Sequence, residues 1–461
     1  MGRIAHSGLA FTRLLTVAVL LWTGGVTMAL AMAQDPAPPA ARISVYRNAV
    51  LIDGTGADAR PGMSIVIADD RIQAVAPDAD ITPPDGAEII DAGGLYVLPG
   101  LIDTHVHLGT DPSRAWAEAT LRRLLYSGVT AVRDMAGDAR FLADLQREVL
   151  VGEVPGPDLY YVALMAGPSF FIDPRTHAAA RGTTPGQAAW MQAVDADTDM
   201  ALAVARARGT GATAIKIYAN LDGQTVRRII EEAHRQDFPV WAHGMLFPGL
   251  PADIVAAGPE VISHVCYLGY QLPPRPANYH ERTGVDVSLF EAGIPTEITT
   301  LFDQMHESGI VLDATARIYA PGSGGDAPGS WRCEGDLAFR LTNEAWRRGV
   351  MISAGTDGDT AWDHPYPALH EELELLTDRA GLPPMDAIRA ATAVAARAVN
   401  QEDQMGTIEP GKLANLVFVH DDPLADVSNL RSVAFTVRRG VAYQREDYVP
   451  VTEEEMAEIG S

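Results

Sequence analysis

Short apolar runs alternate with amphipathic stretches through the middle of the chain. Between residues 96 and 404, each apolar run is followed by glycine or a polar loop and then by apolar positions at helical spacing. The predicted strands cover residues 96–107, 129–134, 159–165, 214–218, 240–243, 261–264, 310–313 and 351–357. Eight successive strand–helix units predict an α/β fold, a (β/α)8 TIM barrel over residues 96–404, with its active site at the carboxyl ends of the strands.

The segments on either side of this region have an all-β pattern. Residues 43–95 contain short strands separated by turns, including a hairpin around Asp69-Asp70, and similar strands return over residues 405–450. Each segment is too small to bury a core alone. We therefore predict that the two segments pair into one small β-sandwich domain.

Residues 1–33 have the pattern of a secretory signal peptide. Arg3 and Arg13 precede an apolar run over residues 14–30, and Ala31-Met32-Ala33 supplies small residues at a cleavage site. A Pro/Ala linker follows over residues 34–42. Because the apolar run is short for a membrane span, we expect cleavage after Ala33 and a periplasmic or secreted protein. An uncleaved membrane anchor is the alternative.

The net charge of the chain limits the kinds of partner that it can bind. The net charge is −25, and removal of residues 1–33, which contain two arginines and no acid, would change it to −27. Such an acidic surface repels nucleic acid and anionic membranes. We expect a small-molecule or dipeptide substrate, no nucleic acid partner and no membrane insertion after signal cleavage, and a homo-oligomer is left open.

The chain has two cysteines, Cys266 and Cys333, and neither belongs to a zinc-finger spacing. They could pair after export. The sequence shows no disulfide framework, however, and it favours two unpaired thiols.

Candidate metal ligands fall at the ends of the predicted strands. His105 and His107 end the first strand, and at this spacing their side chains project to the same side. Lys216 lies in an apolar strand, where a lysine is normally excluded unless it is paired or functional. Three more candidates, each at the end of a later strand, are His243, His264 and Asp357. A buried polar group would explain each residue alone, but their shared position at the barrel mouth indicates a metal site.

At these residues the chain resembles the amidohydrolase superfamily, in particular its imidazolonepropionase-like and prolidase-like branch. Residues 100–107, Gly-Leu-Ile-Asp-Thr-His-Val-His, resemble the family's opening motif. Residues 406–416, Gly-Thr-Ile-Glu-Pro-Gly-Lys-Leu-Ala-Asn-Leu, resemble its closing motif, with Asn415 where aspartate is usual. Residues 384–392 resemble the helix after the last barrel strand. The resemblance covers nearly all of the mature sequence, and Asn415 is expected to lie outside the metal site.

The resemblance implies a centre with two divalent metal ions, with zinc as the expected metal and manganese or iron left open. His105, His107 and Asp357 would hold the more buried ion, and His243 and His264 the more exposed one. Lys216 would bridge both ions after it reacts with carbon dioxide to form a carbamate, which presents two anionic oxygens instead of an ammonium. Imidazole and carboxylate ligands suit zinc.

The implied reaction is hydrolysis of an amide C–N bond by a hydroxide that bridges the two ions. Asp357 would accept the proton of the hydroxide as general base and deliver it to the leaving nitrogen as general acid. Tyr218 shares a strand face with Lys216 and is a candidate for orienting the substrate, with simple packing as the alternative. Arg133, at the end of the second strand, is a candidate for binding a substrate carboxylate, although a buried ion pair is the favoured explanation.

The sequence constrains the substrate class less than it constrains the type of reaction. Lys216 and the export signal favour a peptide-like or N-acyl amino acid substrate over a cyclic amide or imidazolone. Lactone and phosphotriester hydrolysis use similar metal pairs, and a non-catalytic binding barrel would be expected to lack a ligand or the base. Residues 167–211, 268–295 and 319–335 are predicted as irregular loops that shape specificity.

Overall fold

The computed structural model describes residues 42–281, 283–320, 333, 335–452 and 455 of the chain. The predicted signal peptide, residues 1–33, and residues 34–41 of the predicted linker lie outside these described residues. Within the described ranges, no helix is long and apolar enough to cross a membrane.

The described residues contain the following elements in chain order. The strands are β1 Ile43–Leu51, β2 Arg60–Ala68, β3 Arg71–Pro77, β4 Glu88–Asp91, β5 Tyr96–Pro99, β6 Leu101–Val106, β7 Val129–Asp134, β8 Asp158–Ala166, β9 Gln187–Ala188, β10 Met191–Ala193, β11 Ala214–Ile217, β12 Val240–His243, β13 Val261–Ser263, β14 Val311–Asp313, β15 Met351–Ser353, β16 Leu416–Val419, β17 Val433–Arg438 and β18 Val441–Gln444. The α-helices are α1 Arg114–Leu125, α2 Ala139–Leu150, α3 Pro174–Ala179, α4 Met200–Arg208, α5 Gly223–Arg235, α6 Pro251–Ala257, α7 Thr296–Ser308, α8 Gly335–Arg347, α9 Ala368–Asp378, α10 Pro384–Ala390 and α11 Ala393–Ala398.

Eight parallel strands form a barrel-like sheet in the order β6–β7–β8–β11–β12–β13–β14–β15. The first and last strands meet through backbone hydrogen bonds. The Thr104 N–H donates to the Ala354 carbonyl at 3.2 Å, and the Asp357 N–H donates to the His105 carbonyl at 2.9 Å. The prediction of a (β/α)8 barrel is therefore confirmed.

The helices cover the outside of the barrel because each has one apolar face, as α5 illustrates. Val226, Ile229, Ile230 and Ala233 are all buried, at the spacing that places side chains on one side of a helix. The carboxylate of Asp222 accepts a hydrogen bond from the Thr225 N–H at 2.8 Å and so caps the helix N-terminus. The chain then enters β12 and delivers His243 to the barrel mouth.

The N- and C-terminal segments build one mixed sheet with strand order β18–β17–β16–β5–β1–β2–β3, in which β4 also pairs with β1. Its core includes Phe418, whose ring lies 5.1 Å from that of Tyr46 and 4.4 Å from that of Phe435 between centroids. The predicted pairing of the two terminal β-rich segments is therefore confirmed, in the form of a mixed sheet.

Two predictions about chain segments were wrong in detail. The predicted first barrel strand, residues 96–107, is divided, because β5 pairs with β1 and β16 in the small sheet and the barrel strand begins at Leu101. The break falls at Gly100, where a side chain would collide with Thr130. Residues 167–211 are not an irregular loop, since they contain α3, the β9–β10 hairpin and α4.

The favoured interpretation of two unpaired cysteines was also wrong. Cys266 and Cys333 form a disulfide with a Cα–Cα distance of 6.1 Å across a sequence separation of 67 residues. Both cysteines are buried, Cys266 in a 3-10 segment after β13 and Cys333 shortly before α8. Only the packing of these two elements brings the thiols together, and sequence spacing does not reveal it.

Candidate metal centre

The barrel strands bring the six predicted ligands to one place. His105 lies in β6 and His107 follows its end, so strand alternation points both imidazoles to the same side. The other four come from neighbouring strands: Lys216 in β11, His243 at the end of β12, His264 directly after β13 and Asp357 beyond β15.

Asp357 is the point on which the histidines converge. Its Oδ1 lies 3.2 Å from His105 Nε2 and 2.9 Å from His107 Nε2, and its Oδ2 lies 3.7 Å from His264 Nδ1. Ligating atoms of His105, His264 and Asp357 all lie within 4.8 Å of one another, close enough to hold one metal ion together. The ring of His243 lies 4.5 Å from that of His264 between centroids, so His243 adjoins this cluster.

The four imidazoles are held by contacts on their Nδ1 side. Nδ1 of His105 lies 2.8 Å from Asp313 Oδ2, and Nδ1 of His264 lies 2.8 Å from Thr315 Oγ1. Nδ1 of His243 lies 3.0 Å from the Met245 carbonyl, and Nδ1 of His107 lies 3.2 Å from Thr110 Oγ1. Such outer contacts orient metal-binding imidazoles and leave Nε2 available as a ligand.

Burial sets the protonation of the cluster. It holds the pKa values of His243 and His264 well below the usual range and lowers that of His107 to about 4, so these rings are neutral and can donate a lone pair to a metal ion. Burial would raise the pKa of Asp357, but its contacts with His105 and His107 and the nearby His264 outweigh burial and hold that pKa well below the usual range. A donor set of imidazoles and one carboxylate fits a divalent metal ion.

Lys216 lies against the same cluster. Its Nζ is 3.5 Å from His105 Nε2 and 3.4 Å from the Met135 carbonyl, and the side chain is buried. Burial lowers the pKa of Lys216 to about 8, despite the nearby carboxylates of Asp357 and Asp313. The amine therefore lies beside the candidate ligands of the cluster.

A cavity of about 660 Å³ opens above the cluster, a volume suited to a ligand of dipeptide size. Its lining includes Lys216, His243, His264 and Asp357. Five aromatic residues from several loops form much of the remaining wall: Phe170, Tyr218, Tyr267, Tyr279 and Tyr319. Tyr218 thus lines the cavity, as its strand position predicts, with its ring centroid 4.5 Å from that of His243.

Arg133 lies apart from this cavity. Its Nη1 donates to the Ala398 carbonyl at 2.9 Å, its Nη2 donates to the Val399 carbonyl at 3.1 Å, and its guanidinium carbon is 5.1 Å from the centre of the Trp241 ring. Burial lowers the pKa of Arg133 to about 9. The guanidinium connects the barrel interior to the carboxyl end of α11, so its placement does not support the candidate role in substrate binding.

Sequence reasoning missed two residues that organise the site. Asp313 ends β14 and contacts His105, and its position as an acid at a strand end was a usable signal. Arg175 lines the cavity from α3, in a segment without strand periodicity, so nothing in the pattern of that segment indicates its direction.

A parallel barrel with histidines, a buried lysine and a carboxylate at its strand ends defines a metal-dependent hydrolase. The chain belongs to the amidohydrolase family, whose family model matches residues 96–442.

Individual relatives define the branch of the family. Ochratoxinase from Aspergillus niger is 26% identical over 430 residues, which cover 84% of this chain and 83% of that protein. The crystal structure of A. niger ochratoxinase matches with a TM-score of 0.68 and 21% identity over 90% of this chain and 99% of that one. A Xaa-Pro dipeptidase with bound methionine matches with a TM-score of 0.67 and 22% identity over 87% of this chain and 100% of that one. Within the family, the chain is therefore similar to ochratoxinase and shares the fold of a Xaa-Pro dipeptidase.

Proposed function

We propose that this chain is an exported amidohydrolase with two metal ions that hydrolyses the amide C–N bond of a peptide-like or N-acyl amino acid substrate. The convergence of four imidazoles, Lys216 and Asp357 at the floor of one cavity carries the proposal. Each of these groups is either a ligand type that zinc prefers or can become one.

We assign these residues to two sets of ligands. His105, His107 and Asp357 would hold one ion, and His243 and His264 the other. Lys216 would lie between the two sets as a carbamate, formed when its neutral amine adds to carbon dioxide and releases one proton. When bound, a pair of divalent ions supplies an acidified water and polarises a carbonyl group.

Asp357 is the residue that would move the proton. Its Oδ1 contacts His105 and His107, and its side chain keeps 21% exposure, so Oδ2 can reach the cavity. We propose that Oδ2 accepts a proton from the attacking water and then delivers this proton to the leaving nitrogen. The water oxygen forms the new bond to the carbonyl carbon, the C–N bond breaks, and the second proton of the water passes to the amine, so the products are a carboxylate and an ammonium group.

The aromatic wall would orient the substrate. The Tyr218 hydroxyl can donate a hydrogen bond to a substrate carbonyl or carboxylate, while the neighbouring rings exclude water from the reacting bond. Similarity to a Xaa-Pro dipeptidase favours a substrate of dipeptide size.

A hydrolysis panel tests the proposed function. Metal-loaded protein would be assayed against Xaa-Pro and other dipeptides, N-acyl amino acids and lactones, together with Lys216→Ala and Asp357→Ala. We expect hydrolysis of dipeptides or N-acyl amino acids that falls at least 100-fold in both variants. Hydrolysis of lactones alone, or activity indifferent to both substitutions, would refute the proposal.

Export is the part of the proposal that rests on residues 1–33, which lie outside the described residues. A buried disulfide between Cys266 and Cys333 supports it, since disulfides persist in oxidising compartments. Intact-mass measurement of protein from the periplasm or medium should give a chain that begins at Gln34. A chain that keeps Met1 and stays in the cytoplasm would contradict export.

A further inference from the structure

The loop that follows Asp357 is held by contacts with distant parts of the chain. It covers residues 358–366 and connects Asp357 to α9. Within this loop, every residue of which the structure describes, the backbone makes one internal hydrogen bond, from the His364 N–H to the Ala361 carbonyl at 3.0 Å. A loop with so few bonds of its own keeps a single path only if other elements fix it.

Arg123 on α1 supplies the central contact with this loop. The residue is only 2% exposed. Its Nη1 donates to the Ala361 carbonyl at 2.9 Å and to the His364 carbonyl at 3.3 Å, and its Nη2 pairs with the carboxylate of Asp359. One guanidinium therefore bonds both ends of the turn and the residue two positions after Asp357.

Two further arginines bind the same loop from other parts of the chain. Arg317, which follows β14, donates from Nη2 to the Asp359 carbonyl at 3.3 Å. Arg445, which follows β18 of the terminal sheet, donates from Nη2 to the Pro365 carbonyl at 3.0 Å. Like Arg123, both use main-chain carbonyl groups as acceptors, so the three arginines fix the path of the backbone. Arginine suits this role because its planar N–H groups can serve several acceptors at once.

Asp357 has a backbone conformation that needs support from both sides. Its φ is 45°, in the left-handed region that an aspartate adopts at a cost in free energy. On the preceding side, the hydroxyl of Thr356 donates to Asp103 Oδ2 at 2.9 Å, and the Asp357 N–H donates to the His105 carbonyl. On the following side, the support comes from the loop that Arg123 holds.

We propose that Arg123 is a positioning residue for Asp357. Together with Arg317 and Arg445, it fixes the loop and so keeps the Asp357 carboxylate where it binds metal and carries the proton. This inference rests on the proposed function and adds the residue that orients its proton carrier. Stability alone explains Arg123 poorly, because its Nε–H is buried without a hydrogen-bond partner among the described residues, and burial of an unsatisfied N–H costs free energy.

Arg122→Ala is the matched control for Arg123→Ala. Arg122 is the adjacent residue of α1, and its guanidinium binds the Val449 carbonyl at 3.0 Å and the Glu455 carboxylate at 3.0 Å instead of the loop. Each variant thus loses one arginine that has a carbonyl partner and a carboxylate partner. A general loss of stability would affect both variants, whereas release of the loop is expected in Arg123→Ala alone.

Hydrogen exchange measures the loop without any substrate. In the purified full chain, we expect amide exchange over residues 357–366 to be at least about fivefold faster in Arg123→Ala than in the wild type, and unchanged in Arg122→Ala. Equal exchange in Arg123→Ala and the wild type would overturn the inference. Should Arg123→Ala not fold, Arg123→Lys takes its place with the same expectation, since it keeps the charge and loses the planar set of donors.

Kinetics measure the consequence for Asp357. With a dipeptide or N-acyl amino acid that the wild type hydrolyses, Arg123→Ala should lower kcat roughly 10- to 100-fold and change KM less than about threefold, because the cavity wall that binds the substrate stays intact. Arg122→Ala should leave both constants unchanged. An equal loss of kcat in the two variants, or faster loop exchange with an unchanged kcat, would refute the positioning role.

Zinc affinity separates this inference from the proposed function. If the wild type hydrolyses no compound, the proposed amide hydrolysis fails, but the position of Asp357 can still be tested because this residue is also a candidate ligand. By competition with a chelator, Arg123→Ala should bind zinc about 10-fold more weakly than Arg122→Ala. Equal zinc affinity in the two variants would show that Arg123 does not position Asp357.

Discussion

Asp313 organises a predicted metal ligand without lining the cavity. Its Oδ2 contacts His105 Nδ1 at 2.8 Å and accepts a hydrogen bond from Ser263 Oγ at 2.9 Å. Its Oδ1 accepts a hydrogen bond from Thr104 Oγ1 at 3.2 Å. The carboxylate thus fixes both the orientation and the tautomer of the imidazole, which turns Nε2 toward Asp357.

Replacing Asp313 should therefore weaken metal binding. We expect Asp313→Asn to lower the affinity for zinc about 10- to 100-fold, because His105 loses the anionic partner that raises its basicity. Competition with a chelator measures this affinity directly. Asp303→Asn, at an exposed position on α7, is the control, and an unchanged zinc affinity in Asp313→Asn would contradict the assigned role.

At the scale of single residues, the sequence predicts the direction of those side chains that strand periodicity controls. His105, Lys216 and His243 reach the mouth because strand alternation fixes the side of the barrel to which a strand residue points. The atoms that an arginine side chain finally contacts are not fixed in this way. Arg133 extends to the carbonyl groups at the end of α11, and Arg175 reaches the cavity from a helix whose position depends on tertiary packing.

Among the elements, the segment after β14 shows how a buried helix residue supports the site. Glu372 on α9 accepts hydrogen bonds from the N–H groups of Ala316 at 3.0 Å and Arg317 at 2.6 Å. This contact holds the turn in which Thr315 meets His264 and from which Tyr319 enters the cavity wall. Burial raises the pKa of Glu372 to about 8, so the folded chain retains a proton that the unfolded chain releases near pH 4.5.

The free energy of unfolding should therefore carry a pH-dependent contribution from Glu372. Because the folded pKa is raised, this contribution is fully present below about pH 4.5 and is lost as the pH rises toward 8. We expect the stability advantage of wild type over Glu372→Gln to shrink by more than about 1 kcal/mol between pH 5.5 and pH 8.5. Urea unfolding at both values measures it, with exposed Glu402→Gln as control, and parallel pH profiles would contradict the assignment.

The sequence predicts a helix or strand correctly where the apolar pattern lies within that element. It fails where consecutive strands of the chain pair with two different sheets. The helical face of α5 and the buried strands β7 and β12 follow directly from their sequences. The break between β5 and β6 does not, because both strands are apolar and the close packing of Gly100 against Thr130 is a tertiary contact.

In the whole molecule, a buried charge cluster joins the terminal sheet to the barrel. Asp158 at the start of β8 pairs with Arg438, the last residue of β17, at 2.7 Å and with the following Arg439 at 2.8 Å. Asn415 accepts a hydrogen bond from the Arg439 N–H at 2.8 Å and lies beside Asp158. The departure of Asn415 from the family pattern thus lies at this interface.

Replacement of Asp158 should weaken the contact between the terminal sheet and the barrel and so lower the free energy of unfolding. Asp158→Asn leaves the buried guanidinium of Arg438 without its counter-charge, which should lower the free energy of unfolding by about 3–5 kcal/mol. Chemical denaturation measures the change, and Asp421→Asn at an exposed position is the control. A loss below about 1 kcal/mol would show that the cluster does not stabilise the interface.

The metal content of the purified chain tests the central claim most directly. By elemental analysis we predict about two divalent ions per chain in the wild type and in Lys412→Ala, and fewer in Lys216→Ala, because Lys216 would supply the bridge between the two ligand sets. One ion or none in the wild type, or equal metal content with and without Lys216, would contradict a bridged pair at the mouth of this barrel.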